Sequence, residues 1–142
     1  MAKRRQKQRV ALRYPKHTLT PEDFLHFIES TVFTRRWEEL GLDDEEDLTA
    51  LQLFIMSYPT GCPIVRGTGG LRKMRFSPPE AKVGKSGGFR VCYVYFEEYH
   101  IVFLVYVYTK HEKDDLDAGE RNAVREYIRR EKLALSRRQT IS

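Results

Sequence analysis

Strand periodicity is evident in Lys73–Phe76, where polar and apolar residues alternate. β-Branched and aromatic residues are dense in three segments, which are Leu71–Phe76, Phe89–Glu97 and His100–Lys110. A tight turn around Glu98-Tyr99 separates the last two segments. An earlier segment, Phe24–Phe33, also has strand-like content. The chain is therefore expected to form an antiparallel sheet of about four strands.

Helical spacing occurs in three other parts of the chain. An acidic capping pattern at Asp43 precedes apolar residues at helical spacing, which predict a helix over residues 43–58. A shorter helix is expected over residues 34–40. A second capping pattern, Asp117 with Glu120, predicts the start of a final helix. The order of one strand, two helices, three strands and one helix indicates an α+β fold.

The length and charge of the chain refine this picture. Its 142 residues are enough for one domain with a hydrophobic core and short flanking segments. The formal net charge is +5, but residues 1–18 contain seven Lys/Arg and no acid, which is typical of a flexible arm. Residues 38–47 contain seven acids, which are expected to cap and solvate the second helix. Contact with a basic partner is the alternative role for these acids.

The composition also limits the class of protein. Only Cys62 and Cys92 occur, without a CxxC motif or a metal-like spacing, so we expect no disulfide framework, metal site or cofactor. The apolar run Phe89–Thr109 approaches membrane-spanning length, but charges such as Arg90 and Glu97 interrupt it, which favours two strands. The N-terminal residues lack the apolar stretch of a secretory signal. A cytoplasmic protein without a membrane partner is therefore expected.

The segment with the most distinctive chemistry is Arg66–Phe96, in which seven Lys/Arg accompany a single acid, Glu80. Strand periodicity places Lys73 and Arg75 on the same face of their strand. Gathering like charges costs repulsion, which a polyanion such as an RNA phosphodiester would neutralise. The segment is thus a candidate anion site. A solvated basic strand is the alternative interpretation.

Two other motifs favour structural roles. The GTGG sequence that begins at Gly67 lacks the Lys-Ser/Thr of a phosphate loop and precedes a strand, so a tight turn is the favoured interpretation. The tyrosines of the last two strands alternate along each strand, which favours packing in the sheet over stacking on bases.

Four segments of the chain resemble toxins of the RelE/ParE superfamily, and most closely the HigB-like branch of ribosome-dependent mRNA interferases. The segments are His26–Phe33 (HFIESTVF), Gly67–Phe76 (GTGGLRKMRF), Lys85–Tyr93 (KSGGFRVCY) and Tyr108–Leu116 (YTKHEKDDL). The resemblance covers residues 25–132, so residues 1–24 are assigned to a basic, flexible extension and residues 133–142 to a C-terminal tail. It implies a twisted antiparallel sheet with two helices from the N-terminal half on one face, and a C-terminal helix.

The activity that the resemblance implies is cleavage of mRNA in the ribosomal A site, by attack of the RNA 2′-hydroxyl on the adjacent phosphate without a metal ion. Lys73, Arg75 and Arg90 match the catalytic basic cluster of such toxins. Lys110 and His111 match a basic pair that follows the fourth strand. The implied partners are a cognate antitoxin, the ribosome and mRNA.

The chemistry of the side chains suggests a role for each candidate. Arg90 suits phosphate clamping, because a planar guanidinium donates two parallel hydrogen bonds. Lys73 is the candidate general base, since a cationic neighbour, Arg75, favours loss of its proton. His111 is the candidate acid, because imidazole titrates near neutral pH; a structural role is the alternative. Some family members carry a tyrosine where Asp117 stands here, so the role of that tyrosine is filled otherwise or is absent.

The remaining basic residues are expected to bind the RNA backbone or ribosomal RNA. They are Arg72, Lys82, Lys85 and Lys110. For the two lysines in the loop between the second and third strands, simple solvation is the alternative.

Two other functions remain open at this point. A ParE-like protein would inhibit DNA gyrase by binding it, but protein binding does not require the clustered phosphate ligands Lys73, Arg75 and Arg90. A non-catalytic RNA-binding module would keep the basic cluster and lack the chemistry, which the departure at Asp117 leaves possible.

Overall fold

A computed structural model describes residue 19 and residues 23–79, 88–112 and 115–141. The elements, in chain order, are β1 (His26–Glu29), α1 (Thr31–Glu39), α2 (Glu46–Ser57), β2 (Leu71–Phe76), β3 (Phe89–Phe96), β4 (Ile101–Thr109) and α3 (Ala118–Ile141). This order confirms the predicted α+β class. A single 3-10 turn, Glu97–Tyr99, joins β3 to β4 where the tight turn was predicted. In the described part of the chain, no helix combines the length and the apolar character that crossing a bilayer requires.

The four strands form one sheet in the order β1-β4-β3-β2. The pairs β2–β3 and β3–β4 are antiparallel, as predicted. The prediction of a wholly antiparallel sheet is wrong for β1, which runs parallel to β4. A parallel pair needs a long crossover connection, and here all of α1, α2, β2 and β3 lie between the two strands.

Both faces of the sheet are buried. On one face, Phe33 and Trp37 of α1 and Leu51 of α2 pack with Val91 and Tyr93 of β3. On the other face, α3 residues pack with the intervening residues of the same strands; these residues include Cys92, Val94, Phe103, Ile128 and Leu135. The two N-terminal helices therefore share one face, as expected, and the C-terminal helix covers the opposite face.

The first strand is shorter than predicted because Ser30 begins a helix. Its hydroxyl oxygen accepts a hydrogen bond from the Phe33 N–H at 2.9 Å, which is an N-terminal cap for α1. The same hydroxyl donates to the Val105 carbonyl at 2.8 Å. Val105 lies at a bulge in β4, where the pairing with β3 shifts between Cys92 and Tyr93. One side chain thus joins the end of β1, the start of α1 and the bulge.

Acidic residues cap α2 and α3 near the predicted positions, but the residue that pairs with Asp43 is Asp47 and not the predicted Glu46. The Asp43 carboxylate accepts from the N–H groups of Glu46 and Asp47, and the Asp47 carboxylate accepts from the Asp43 N–H at 2.9 Å. At α3, Asp117 and Glu120 each accept the backbone N–H of the other, at 2.8 and 2.9 Å. These caps fix where α2 and α3 begin, within three residues of the predicted starts.

The two predicted flanking segments are residues 133–142 and residues 1–24. Helix α3 continues to Ile141, so residues 133–141 of the predicted tail are helical, and Leu135 is buried in the core. Most of the predicted extension, residues 1–24, lies outside the described residues.

Replacement of Ser30 by alanine should lower the free energy of unfolding by about 1–3 kcal/mol, because it removes a helix cap and a hydrogen bond to the bulge. Urea unfolding of purified protein measures this change. Ser57→Ala is the matched control, since among the described residues the Ser57 hydroxyl bonds only to the Leu53 carbonyl of its own helix. We expect a change within about 0.5 kcal/mol for the control. Equal losses in the two variants would contradict the role given to Ser30.

Candidate nucleic-acid interface

The pairing of β2, β3 and β4 places the predicted basic residues on one face. Arg75 is opposite Arg90, and Arg90 is opposite Tyr108, so these three residues form a row across the sheet, which we call the basic row. The next row on the same face contains Lys73 and Cys92, because residues two apart on a strand share a face. This face also carries α3. The structure therefore brings together three of the four predicted catalytic residues.

The Arg75–Arg90 pair is electrostatically unusual. Arg75 is exposed and Arg90 is partly buried, and the two side chains stand directly opposite on neighbouring strands. Like charges in this position destabilise a sheet by bringing two cations within about 5 Å at Cβ. A bound anion would remove this repulsion. The row is therefore a candidate phosphate site.

Lys73 has a counter-charge that the sequence did not reveal. Its Nζ lies 3.5 Å from one carboxylate oxygen of Asp115, and the other oxygen lies 3.2 Å from Nη2 of Arg121. The Asp115 carboxylate also accepts the Leu116 N–H at 2.8 Å. This N–H is the main reason that the pKa of Asp115 lies below its ordinary value, and Lys73 and Arg121 lower it further. Asp115 thus remains ionised beside the basic row.

Lys110 and His111 occupy the turn that follows β4 and are both exposed. Lys110 N–H donates to the Gly88 carbonyl at 3.1 Å, which holds the turn beside the start of β3. The turn therefore lies at the same end of the sheet as the row of Arg75 and Arg90. Within the described residues, His111 makes no hydrogen bond or ion pair with that row.

Glu112 closes this turn and connects it to α1. Its carboxylate accepts the Thr109 N–H at 2.8 Å, and both of its oxygens accept from Nη2 of Arg36. The Thr109 N–H, together with Arg36, holds the pKa of Glu112 below its ordinary value. Arg36 and Glu112 were not among the predicted residues, because 76 positions separate them in the chain.

The other predicted RNA-binding residues are not part of the basic row. Arg72 lies on the opposite face of β2 from Lys73, and its Nη1 donates to the carbonyls of Thr60 and Cys62. Arg72 therefore supports the loop before β2. Lys82 and Lys85 lie outside the described residues.

The glycine-rich segment before β2 is a turn, in line with the favoured interpretation. Gly67, Gly69 and Gly70 have positive φ angles of 82°, 80° and 139°. Thr68 is fully buried between them, and its hydroxyl accepts the Leu71 N–H at 3.0 Å. Arg125 of α3 donates to the Gly67 carbonyl at 2.9 Å, which ties the turn to α3.

Tyr108 is a residue that the sequence pattern had assigned to packing. The residue is 0 % exposed, and its hydroxyl has no hydrogen-bond partner among the described residues. Burial raises the pKa of Tyr108 to about 12, with smaller increases from Cys92 and Asp115. The hydroxyl therefore keeps its proton, and the buried ring packs in the sheet opposite Arg90, in line with the packing role that the tyrosine pattern favours. A buried, unsatisfied hydroxyl is visible only in three dimensions.

Tyr108→Phe should leave the free energy of unfolding unchanged or raise it, because it removes a buried hydroxyl that has no partner in the described chain. Tyr93→Phe is the matched comparison, since Tyr93 is equally buried and its hydroxyl donates to the Pro59 carbonyl at 2.9 Å. This variant should lose about 1 kcal/mol. Thermal and urea unfolding of both proteins measure the difference. A larger loss for Tyr108→Phe would show that its hydroxyl has a partner.

The stability of the protein should fall as the pH falls through the carboxyl range, in part because of Glu112. The folded-state pKa of Glu112 is lowered, so its contribution is complete above the ordinary pKa of glutamate and is lost as the pH falls toward the lowered value. Urea unfolding between about pH 6 and pH 3 should therefore show a weaker pH dependence for Glu112→Gln than for the wild type. Glu98→Gln, in the exposed turn after β3, should behave like the wild type. A Glu112→Gln profile parallel to the wild type would contradict this assignment.

Comparison with known proteins adds a finding on similarity. No family model matches the chain. Among solved structures, the E. coli toxin RelE, as a mutant in the free state, is similar with a TM-score of 0.47 and 19% sequence identity. The similarity covers 63% of this chain and 87% of that chain. At this level of identity, the function of the chain has to be inferred from its own side chains.

Proposed function

We propose that the chain is the toxin of a type II toxin–antitoxin system and that it cleaves mRNA in the ribosomal A site without a metal ion. The observation that carries the proposal is the row in which Arg75 stands opposite Arg90, with Lys73 two residues away on the same face. The resemblance of the sequence to HigB-like interferases supports the same activity. The proposed place of action is the cytoplasm, where translating ribosomes are found.

In the proposed reaction, the 2′-hydroxyl oxygen attacks the adjacent phosphorus and gives its proton to a base. The bond to the 5′-oxygen breaks as that oxygen gains a proton from an acid. The products are a 2′,3′-cyclic phosphate and a 5′-hydroxyl end. Negative charge gathers on the nonbridging oxygens in the transition state, and the guanidinium groups of Arg75 and Arg90 are suited to donate to them.

The proton transfers are assigned to Lys73 and His111. Lys73 acts either as the base at the 2′-hydroxyl or as a further cation for the phosphate, and its ion pair with Asp115 favours the cationic role. His111 is the proposed acid at the 5′-oxygen, because its exposed turn lies at the same end of the sheet as the row.

The proposed partners follow from this activity. The ribosome positions the mRNA, and Lys110 contributes a further phosphate contact from the turn beside the row. A cognate antitoxin neutralises the toxin by covering or distorting the basic face. We propose the same role in RNA binding for Lys82 and Lys85, in the segment between β2 and β3, whereas Arg72 supports the loop before β2.

A non-catalytic RNA-binding module is the second candidate. The specific observation in its favour is that Asp117, which stands in the register of the family tyrosine, is used to cap α3. Such a module would keep the phosphate contacts of Arg75 and Arg90 and would cut no RNA.

Replacement of Arg90 by alanine should reduce cleavage by about a hundredfold or more, because one donor to the transition-state charge is lost. The experiment expresses the wild type and the variant under tight control and maps the 5′ ends of cellular mRNA. New ends inside translated frames are expected for the wild type and not for Arg90→Ala. Arg35→Ala is the matched control, since Arg35 is an exposed arginine on α1.

Other results would contradict the proposal in different ways. If the Arg90→Ala variant stays folded and is fully toxic, Arg90 is not part of the catalytic site. Growth arrest by the wild type without new 5′ ends would favour the non-catalytic module. If inhibition of DNA supercoiling accompanied that arrest, the gyrase-inhibitor alternative would stand instead.

A further inference from the structure

A cavity of about 370 Å³ lies beside the basic row, at the outer edge of β2. Its lining residues are Pro63, Ile64, Val65, Arg66, Lys73, Asp115 and Arg121. Three of these are cations, and Asp115 is the one acid among them. The cavity therefore has an excess of positive charge that a single carboxylate does not balance.

The walls of the cavity are fixed by backbone hydrogen bonds. The Val65 N–H donates to the Leu71 carbonyl at 2.7 Å, and the Lys73 N–H donates to the Pro63 carbonyl at 3.3 Å. On the other side, the Arg121 N–H donates to the Asp117 carbonyl at 3.0 Å in the first turn of α3. Arg66, Lys73 and Arg121 thus come from three connected parts of the fold and line one space.

The carboxylate of Asp115 is held only weakly by the cations of the cavity. Its two ion-pair distances, 3.5 and 3.2 Å, exceed the 2.7–2.9 Å or so of a close charge-assisted hydrogen bond. Its side chain is 52% exposed, and ion pairs at this exposure contribute little to stability. An anion with better geometry would replace the carboxylate at low cost, because the Leu116 N–H and water would still solvate Asp115.

Arg121 has donors that Asp115 does not use. Its Nη2 bonds to Asp115, whereas its Nε is buried and is not accessible to a ligand in the cavity. A guanidinium has five N–H donors, and a phosphate presents more acceptor oxygens than a carboxylate does. A phosphate in the cavity would therefore satisfy more of Arg121 than Asp115 does.

We propose that this cavity is a second phosphate-binding subsite and that Asp115 occupies it in the absence of ligand. The ligand is the RNA phosphate next to the scissile one, and this part of the inference rests on the proposed function. Lys73 lines the cavity and shares a face with Arg75 and Arg90, so one RNA strand can contact both. Arg121 is thus a binding residue, and Asp115 is an internal competitor for RNA.

The first experiment tests the cavity without reference to cleavage. Inorganic phosphate is titrated into the full chain, and the arginine Nε–H signals are followed by NMR. Saturable shifts of the Arg121 signal are expected in the wild type. Asp115→Asn should bind phosphate more tightly than Glu98→Gln. Glu98→Gln is the matched control, because it removes an equal charge from an exposed site. Absence of a saturable shift in both the wild type and Asp115→Asn would overturn the subsite.

The second experiment measures binding of an uncleavable 2′-O-methyl RNA by fluorescence anisotropy at several salt concentrations. Arg121→Gln should weaken binding about five- to tenfold and reduce the log–log salt slope by about 0.7, the value for one single-strand phosphate. Arg130→Gln is the matched control, since Arg130 is exposed on the same helix. Asp115→Asn should bind more tightly than Glu98→Gln. Equal affinities within each pair of variants would overturn the proposal.

The two proposals fail in different ways. If Arg121→Gln weakens RNA binding while the wild type cuts no mRNA, the subsite stands and the nuclease function fails. If cleavage depends on Arg90 while Arg121→Gln and Arg130→Gln behave alike, the nuclease stands and the subsite fails. A wild-type chain that binds neither phosphate nor RNA would overturn the subsite directly.

Discussion

The register of β2 against β3 is the constraint on which the candidate site depends. Side chains alternate between the two faces of a strand, so a shift of one residue would move Lys73 and Arg75 to the face that α1 and α2 cover. The register is fixed because Met74 and Phe76 are buried in the core under α1 and α2. A strand shifted by one residue would bury the cations there and move these apolar side chains to the basic face.

The same constraint explains how the site keeps its charges together. Repulsion between Arg75 and Arg90 acts against the pairing of two strands whose apolar residues are well packed. The hydrophobic cores hold the strands in place in spite of the repulsion between these two cations. Asp115 and Arg121 arrive from the start of α3, on the same side, because the α3 face is also the basic face.

The sequence predicted those features that local pattern determines. The strand Leu71–Phe76 has its predicted limits, since apolar residues alternate with cations and the glycine turn ends just before Leu71. The capping box of Asp117 and Glu120 is also local. The shared face of Lys73 and Arg75 follows from strand periodicity alone, whereas their position beside Arg90 requires the pairing of two strands.

The features that the sequence did not predict depend on distant contacts. Asp115 reaches Lys73 across 42 positions, and nothing in the local pattern distinguishes it from its acidic neighbours. Ser30 was placed inside a strand, because FLHFIESTVF has strand-like content and its cap becomes evident only when Phe33 is seen to be buried. The parallel direction of β1 is a property of topology, which hydrophobic alternation does not encode.

The contact between Arg36 and Glu112 has a mechanical consequence. Arg36 belongs to α1, on one face of the sheet, whereas the turn that Glu112 closes carries His111 at the end of the basic row on the other face. The turn that carries His111 is therefore anchored to the helix on the opposite face of the sheet, so the position of His111 depends on α1 as well as on β4.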